Sequence, residues 1–170
     1  MNAPTLTTAR LHLRAHRLGD FDSLAAQLAA EEARFLGGPF SRQQAWLMFG
    51  TDAGTWSIQG HGAWAVERQS DGATIGQVAL SHPPHFPERE LGWIIYSDYR
   101  RQGFAVEAAV AARRFAFDTL GWTTLVSYIH PENEASMAVA EALGATPCPE
   151  AQAPALCERV YRHPQGEAVQ

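Results

Sequence analysis

The sequence predicts a mixed α/β domain of the α+β kind, on three observations. Short segments alternate apolar and polar residues or run apolar, as strands do. Other segments repeat apolar residues every three or four positions, as amphipathic helices do. At the centre, an apolar segment at 90–97, a tight basic turn at 99–103 and an alanine-rich segment at 104–120 read as strand, turn and helix. A length of 170 residues corresponds to one domain and suffices to bury a substantial core.

The elements follow in chain order. Residues 9–14 alternate with period two and read as the first strand. Asp20 is placed to cap a helix on which Phe21, Leu24, Ala25 and Leu28 recur at helical spacing. Glu31 and Glu32 fall at or just past its end, where the helix dipole disfavours negative charge. They are either an exposed acidic corner or a lip that attracts an amine. Gly37-Gly38-Pro39 breaks the chain, Ser41-Arg42-Gln43-Gln44 is a capping box, and Ala45, Met48 and Phe49 give a short helical face. Residues 56–62 read as a loop. Segments 63–68 and 74–80 flank a turn at Ser70-Asp71-Gly72, which predicts a hairpin. The three prolines of 82–87 remove donors and fix φ, so this is a rigid loop. Its His82 and His85 have no third ligand nearby, so no metal is expected. After the central strand–turn–helix come a fifth strand at 125–129 and a helix at 135–143. Asn133 is its expected N-cap and Gly144 its stop. A last strand is expected at 156–162, and the stretch from Cys148 to Pro154 carries no signal.

Composition narrows the function. Hydrophobic residues make up 46% and charged residues 18% of the chain, with a net charge of −5. The acidic balance argues against nucleic acid as a partner and is compatible with a cationic substrate. No apolar run reaches membrane-spanning length, and the N-terminus lacks a secretory pattern. A cytoplasmic location is expected, with Cys148 and Cys157 as a reduced pair.

The central turn carries the chemistry. The first amides of a helix have no helical acceptor and lie at the positive end of its dipole. A phosphate satisfies them. Gly103 admits close backbone approach, Ala105 keeps the next position small, and Arg100 and Arg101 add charge. A plain solvated loop is the alternative. There is no G-x-G-x-x-G and no G-x-x-x-x-G-K-[ST], so neither a dinucleotide fold nor a P-loop is supported.

Arg100-x-x-Gly103-x-Ala105 resembles the Q/R-x-x-G-x-G/A signature of the GCN5-related N-acetyltransferase (GNAT) superfamily. Three flanking features strengthen the likeness: the segments at 90–96 and 105–108, and 129–136 followed by Glu141-Ala142-Leu143-Gly144-Ala145. Their order resembles the branch of the ribosomal-protein N-terminal (RimJ/RimL-like) acetyltransferases. The likeness runs from Thr7 to about Gly144 and is weak after Ala145.

The resemblance implies a GNAT fold: a mostly antiparallel sheet of six to seven strands, with splayed parallel strands 4 and 5 and about four helices. It implies a single N-acetyltransferase domain over 1–170. It implies acetyl-CoA as cosubstrate, with the pyrophosphate on the amides of Arg101, Gln102, Gly103, Phe104 and Ala105. The pantetheine arm would pair with the fourth strand near Ile95. Asn133 matches a residue that contacts this arm, and a plain N-cap is its alternative role.

Acetyl transfer to an amine requires a held thioester, a deprotonated amine and a stabilised thiolate. Glu90 matches a position often acidic in this branch and is the candidate base; its alternative is a strand-edge carboxylate paired with an arginine. Many relatives place a tyrosine four residues before the glycine equivalent to Gly144, where this chain has Ala140. Ser136, one turn earlier, matches the serine of this branch and becomes the candidate partner of the thiolate; an ordinary helix-start serine is its alternative. The expected acceptor is a primary amine, a small molecule in preference to a peptide N-terminus because the loops from Gly37 to Phe40 and His82 to Pro87 are expected to narrow the cleft, and a homodimer is left open. The rival reading is a non-catalytic acyl-CoA-binding module.

Overall fold

The computed structural model describes residues 3–155, 157 and 159–166. Its strands are β1 (Leu6–Thr7), β2 (Leu11–Arg14), β3 (Ala63–Arg68), β4 (Thr74–Ser81), β5 (Glu90–Ile95), β6 (Val126–Ile129), β7 (Thr146–Pro147) and β8 (Arg159–Arg162). They form one sheet in the order β1-β2-β3-β4-β5-β6-β8-β7. Every pairing is antiparallel except β5 with β6. The helices are α1 (Phe21–Ala29), α2 (Arg42–Gln59), α3 (Phe104–Arg114) and α4 (Glu134–Ala142).

Side-chain alternation decides which face each helix covers. Leu91 and Ile95 of β5 are buried in the cluster that contains Phe104, Ala108, Ala109 and Ala112 of α3. The small alanines let α3 lie close to the sheet. On the opposite face, Ile94 and Tyr96 pack with Phe21, Leu24 and Leu28 of α1 and with Ala45 and Phe49 of α2. Gly76 allows β4 and β5 to approach, because a Cβ there would stand 2.1 Å from the Ile94 carbonyl oxygen.

The sheet opens where its one parallel pair lies. Glu90 faces Val126, and this is the only facing pair between β5 and β6. Val126 N–H donates to Arg89 O at 3.0 Å. Beyond this point the near edge of β6 has no facing pair with β5, while its far edge pairs with β8 along its whole length, from Val126 to Ile129. Ser127 Oγ bridges the two sides: it donates to Leu91 O at 2.5 Å and lies 2.9 Å from His163 Nε2.

The splayed parallel strands match the expectation, as β5 and β6. The sheet has eight strands rather than six or seven because β1 and β7 are two-residue additions at its edges. Several local expectations need correction. Residues 56–59 are helix, not loop: Trp56 is buried against Trp64 at 4.6 Å and donates Nε1 to Ala63 O, and this packing extends α2 past its glycines. Asp20 precedes α1 without a side-chain cap to it, since its carboxylate binds Arg14, Arg17 N–H and Thr74. Glu31 and Glu32 open a 3-10 helix (Glu31–Leu36), where the dipole favours their charge. The α-helical part of 104–120 stops at Arg114 and gives way to a π turn (Phe115–Thr119). The final strand starts at Arg159; Leu156 and Glu158 of the expected span lie outside the described residues.

Candidate active site

The gap between β5 and β6 opens into a cleft of about 1910 Å³. Strand register sets one wall. Tyr96 N–H donates to Ile75 O, so the even residues of β5 bond to β4. The odd residues Leu91, Trp93 and Ile95 therefore turn their backbone groups toward β6. Leu91 O is taken by Ser127 and Ile95 O by Arg100 Nε at 3.0 Å. The N–H and C=O of Trp93 and the N–H of Ile95 have no strand opposite them. An extended ligand can pair with this edge as an added strand would.

The start of α3 builds the adjoining wall. Arg101 at φ 58 and Gly103 at φ 80 are both left-handed, and they swing the chain from β5 into the helix. Glycine adopts this conformation freely, whereas arginine does so at a cost of about 1–2 kcal/mol. The first amides of α3 then lack helical acceptors at the positive end of the dipole. Together, the open strand edge and the helix start fit a long ligand that carries phosphates at one end, such as a CoA ester.

Glu90 stands where β5 and β6 part. Its carboxyl group leans along the strand over Gly92: a Cβ built on Gly92 would lie 3.7 Å from Glu90 Oε1. Burial pushes this carboxyl up to about 7, and the charge of Asp52 adds to the shift, while a hydrogen bond from the Tyr128 backbone opposes it. A carboxyl group so tuned gains and loses its proton near neutral pH, as a general base requires. No arginine is paired with it among the described residues.

At the far wall, Asn133 caps α4 by accepting the Ser136 N–H at 3.1 Å. Ser136 lines the cleft. Ala140 is fully buried against Ile129, Ala145 and Tyr161, away from the cleft lining.

The structure thus brings Glu90, Ile95, Arg100, Arg101, Gly103, Phe104, Ala105, Asn133 and Ser136 to one cleft. Gln102 is not on its lining: its amide turns to Asp98 O, and its carbonyl accepts from Arg10 Nη1 at 3.0 Å. The Arg100 guanidinium also turns aside, to Ile95 O and to within 3.7 Å of Glu32. Two residues escape a reading of the sequence. Arg10 stacks at 4.4 Å over the Phe104 ring and braces the turn. Asp52 lines the cleft from α2, and burial raises its carboxyl to about 6 against a hydrogen bond from Gln77. The signal for Asp52 was an acid placed four residues after Met48 and three after Phe49, on the apolar side of the helix.

The chain is similar to known proteins over most of its length. The family described as "Acetyltransferase (GNAT) domain" matches residues 10–146. A crystal structure of an acetyltransferase from Agrobacterium tumefaciens str. C58 is 41% identical, with a TM-score of 0.92 over 97% of this chain and 96% of that one. The uncharacterized N-acetyltransferase YoaA of Bacillus subtilis (strain 168) is 28% identical over 137 residues, which are 78% of this chain and 77% of YoaA. The ribosomal-protein alpha-N-acetyltransferase RimL, solved with coenzyme A, shares the fold at 15% identity and a TM-score of 0.72, over 94% of this chain and 96% of RimL. The match across 10–146 places the chain in the GNAT acetyltransferase family, as an N-acetyltransferase.

Proposed function

We propose that the protein moves the acetyl group of acetyl-CoA to a primary amine by direct attack, without an acyl-enzyme. The observation that carries this reading is a convergence. The open edge at Trp93 and Ile95, the amides at the start of α3, and Glu90 border one cleft. Binding of coenzyme A by RimL supports the choice of cosubstrate. Acetyl-CoA supplies an activated thioester. The residues of the chain do the rest. The turn from Arg101 to Ala105 receives the phosphates, the β5 edge aligns the arm, and Asn133 and Ser136 border its reactive end. Glu90 takes a proton from the incoming ammonium. The amine nitrogen bonds to the carbonyl carbon and the C–S bond breaks; the thiolate leaves near Ser136 and the start of α4, where the helix dipole favours negative charge, and takes up the second proton that the nitrogen loses as the amide forms.

A small amine is favoured over a peptide N-terminus, because two segments narrow the acceptor end. Residues 82–86 line the cleft as expected, but on the other side the lining runs through Phe35 and Leu36, and the loop from Gly37 to Phe40 is not part of it. A thermal-shift series with CoA esters, followed by thiol release against an amine library, tests the reading. Stabilisation by acetyl-CoA and amine-dependent thiol release are expected. Binding without release for any amine would support a non-catalytic acyl-CoA-binding module instead.

A further inference from the structure

Asp52 belongs to the face of α2 that lines the cleft, together with Met48, Thr51 and Thr55. Below it, β4 and β5 align Gln77 with Ile94, Ala79 with Gly92, and Ser81 with Glu90. Side chains alternate along a strand, so Gln77 and Glu90 share the sheet face that α2 covers. Gln77 donates Nε2 to Asp52 Oδ2 at 3.0 Å. Gln77 is 8% exposed, and its Oε1 has no partner among the described residues. The same amide therefore holds an acceptor that a donor would satisfy.

We propose that Asp52 is a specificity-determining residue of the acceptor pocket: with Glu90 it seats the ammonium end of an aliphatic amine, and Gln77 positions it. This rests on the acetyl-transfer reading above. Two partly buried carboxyl groups on facing walls repel one another, and a cation between them relieves both. The titratable groups facing Glu90 are all acidic or neutral: Asp52 from α2, Tyr128 from β6 and Cys157 from the segment before β8. His82 and His85 lie on the lining of the same cleft. Asp52 has no basic partner among the described residues, so its charge is available to a ligand. Met48, one turn before Asp52, and Ile94, paired with Gln77, add apolar lining to the cleft that suits an alkyl body behind the ammonium.

The test compares Asp52→Asn with wild type on two acceptors by thiol release. One is an aliphatic primary amine, protonated at neutral pH; the other is an aromatic amine, unprotonated there. The expected result is a loss in kcat/KM of about tenfold or more for the aliphatic amine, the scale of one close charge pair, mostly as a higher KM. The loss for the aromatic amine should be several-fold smaller. Asp52→Glu, which keeps the charge, should retain the preference. A carboxyl 13C titration without substrate gives a second readout: the Glu90 midpoint should fall in Asp52→Asn. Equal losses for both amines, or an unmoved Glu90 midpoint, would overturn the proposal. Failure of the wild type to release thiol with any amine would defeat the acetyl-transfer reading instead, and the titration alone would then decide the pairing of the two carboxyl groups.

Discussion

Arg10 Nε lies 2.7 Å from Glu107 Oε2, tying the residue before β2 to the first turn of α3. The Arg10 backbone N–H and Thr8 Oγ1 also donate to Glu107, at 2.8 and 2.6 Å. Burial works to raise the Glu107 carboxyl, but these donors outweigh it and hold it below the usual range. A negative side chain here also suits the positive end of α3. Arg10 reaches on to Gln102 O, so it fixes the turn whose amides are assigned to the phosphates.

Arg10→Ala should therefore loosen that turn while the fold persists. The half-exposed ion pair contributes about 1 kcal/mol, which corresponds to a fall of roughly fivefold in acetyl-CoA affinity if its loss is felt at the turn. Calorimetry with acetyl-CoA checks this, alongside a thermal melt that should move only slightly.

Gly103→Glu should abolish acetyl-CoA binding. The left-handed backbone at φ 80 strains any residue with a Cβ, and a carboxylate would sit beside the phosphate amides. The same titration on folded variant protein measures it, and unchanged affinity would remove the phosphate site from this turn.

Asp20 sets a stability limit in acid. It is 5% exposed and receives Arg14 Nη1 and Nη2 at 2.8 and 2.9 Å. Burial would raise its carboxyl, but Arg14, the Arg17 N–H and Thr74 outweigh burial and bring it down to about 2. Its folded value lies below the unfolded value, so its stabilisation is complete above about pH 4 and is lost as pH falls through about 2. Asp20→Asn should cost about 3–5 kcal/mol at neutral pH, the scale of breaking a buried pair. Its penalty should shrink toward pH 2, and denaturant melts across pH read both effects.

Ser136→Ala should lower turnover about ten- to a hundredfold, if thiolate departure limits the rate, because a hydrogen bond to a charged group contributes roughly 1.5–3 kcal/mol. Acetyl-CoA affinity should change little. Restoring a tyrosine with Ala140→Tyr should not rescue it: Ala140 is fully buried, and overpacking there should cost about 1–3 kcal/mol. Single-turnover thiol release separates these outcomes.

Much of this arrangement was legible in the sequence because local rules and tertiary packing agree there. The alternating segment at 9–14, the hairpin at 63–80, the apolar segment at 90–97 and the segment at 125–129 became β2 to β6, the capping box at Ser41 opens α2, and Gly103 sits where the chain needs a left-handed residue. The length of α2 was not legible: Thr51, Gly50 and Gly54 weaken its helical propensity, and only the burial of Trp56 against Trp64 compensates. Asp52 was missed with it, since a lone acid on a helix reads as solvated until the facing strand is known. The partnerships of Arg10 and Arg14 were not legible because Glu107 and Glu67 lie far along the chain, and Asp20, expected as a helix cap, is drawn off by Arg14 and the distant Thr74. The signature residues Arg100, Gly103 and Ala105 line the cleft, with the Arg100 guanidinium held on Ile95 O, whereas Gln102, at a position the signature leaves open, turns to Asp98 O off the lining.

In the proposed mechanism Glu90, at the parting of β5 and β6, takes the proton of the acceptor amine. The pH dependence of kcat/KM in Glu90→Gln tests it most directly, with acetyl-CoA affinity measured in parallel. Wild type should show an acid limb near pH 7, since Glu90 acts only when ionised and its carboxyl is pushed up to about 7. Glu90→Gln should lose that limb and about a hundredfold in turnover, the usual scale of general-base loss, while binding acetyl-CoA as before. Turnover within about twofold of wild type, far short of that scale, with the acid limb unmoved, would contradict the account.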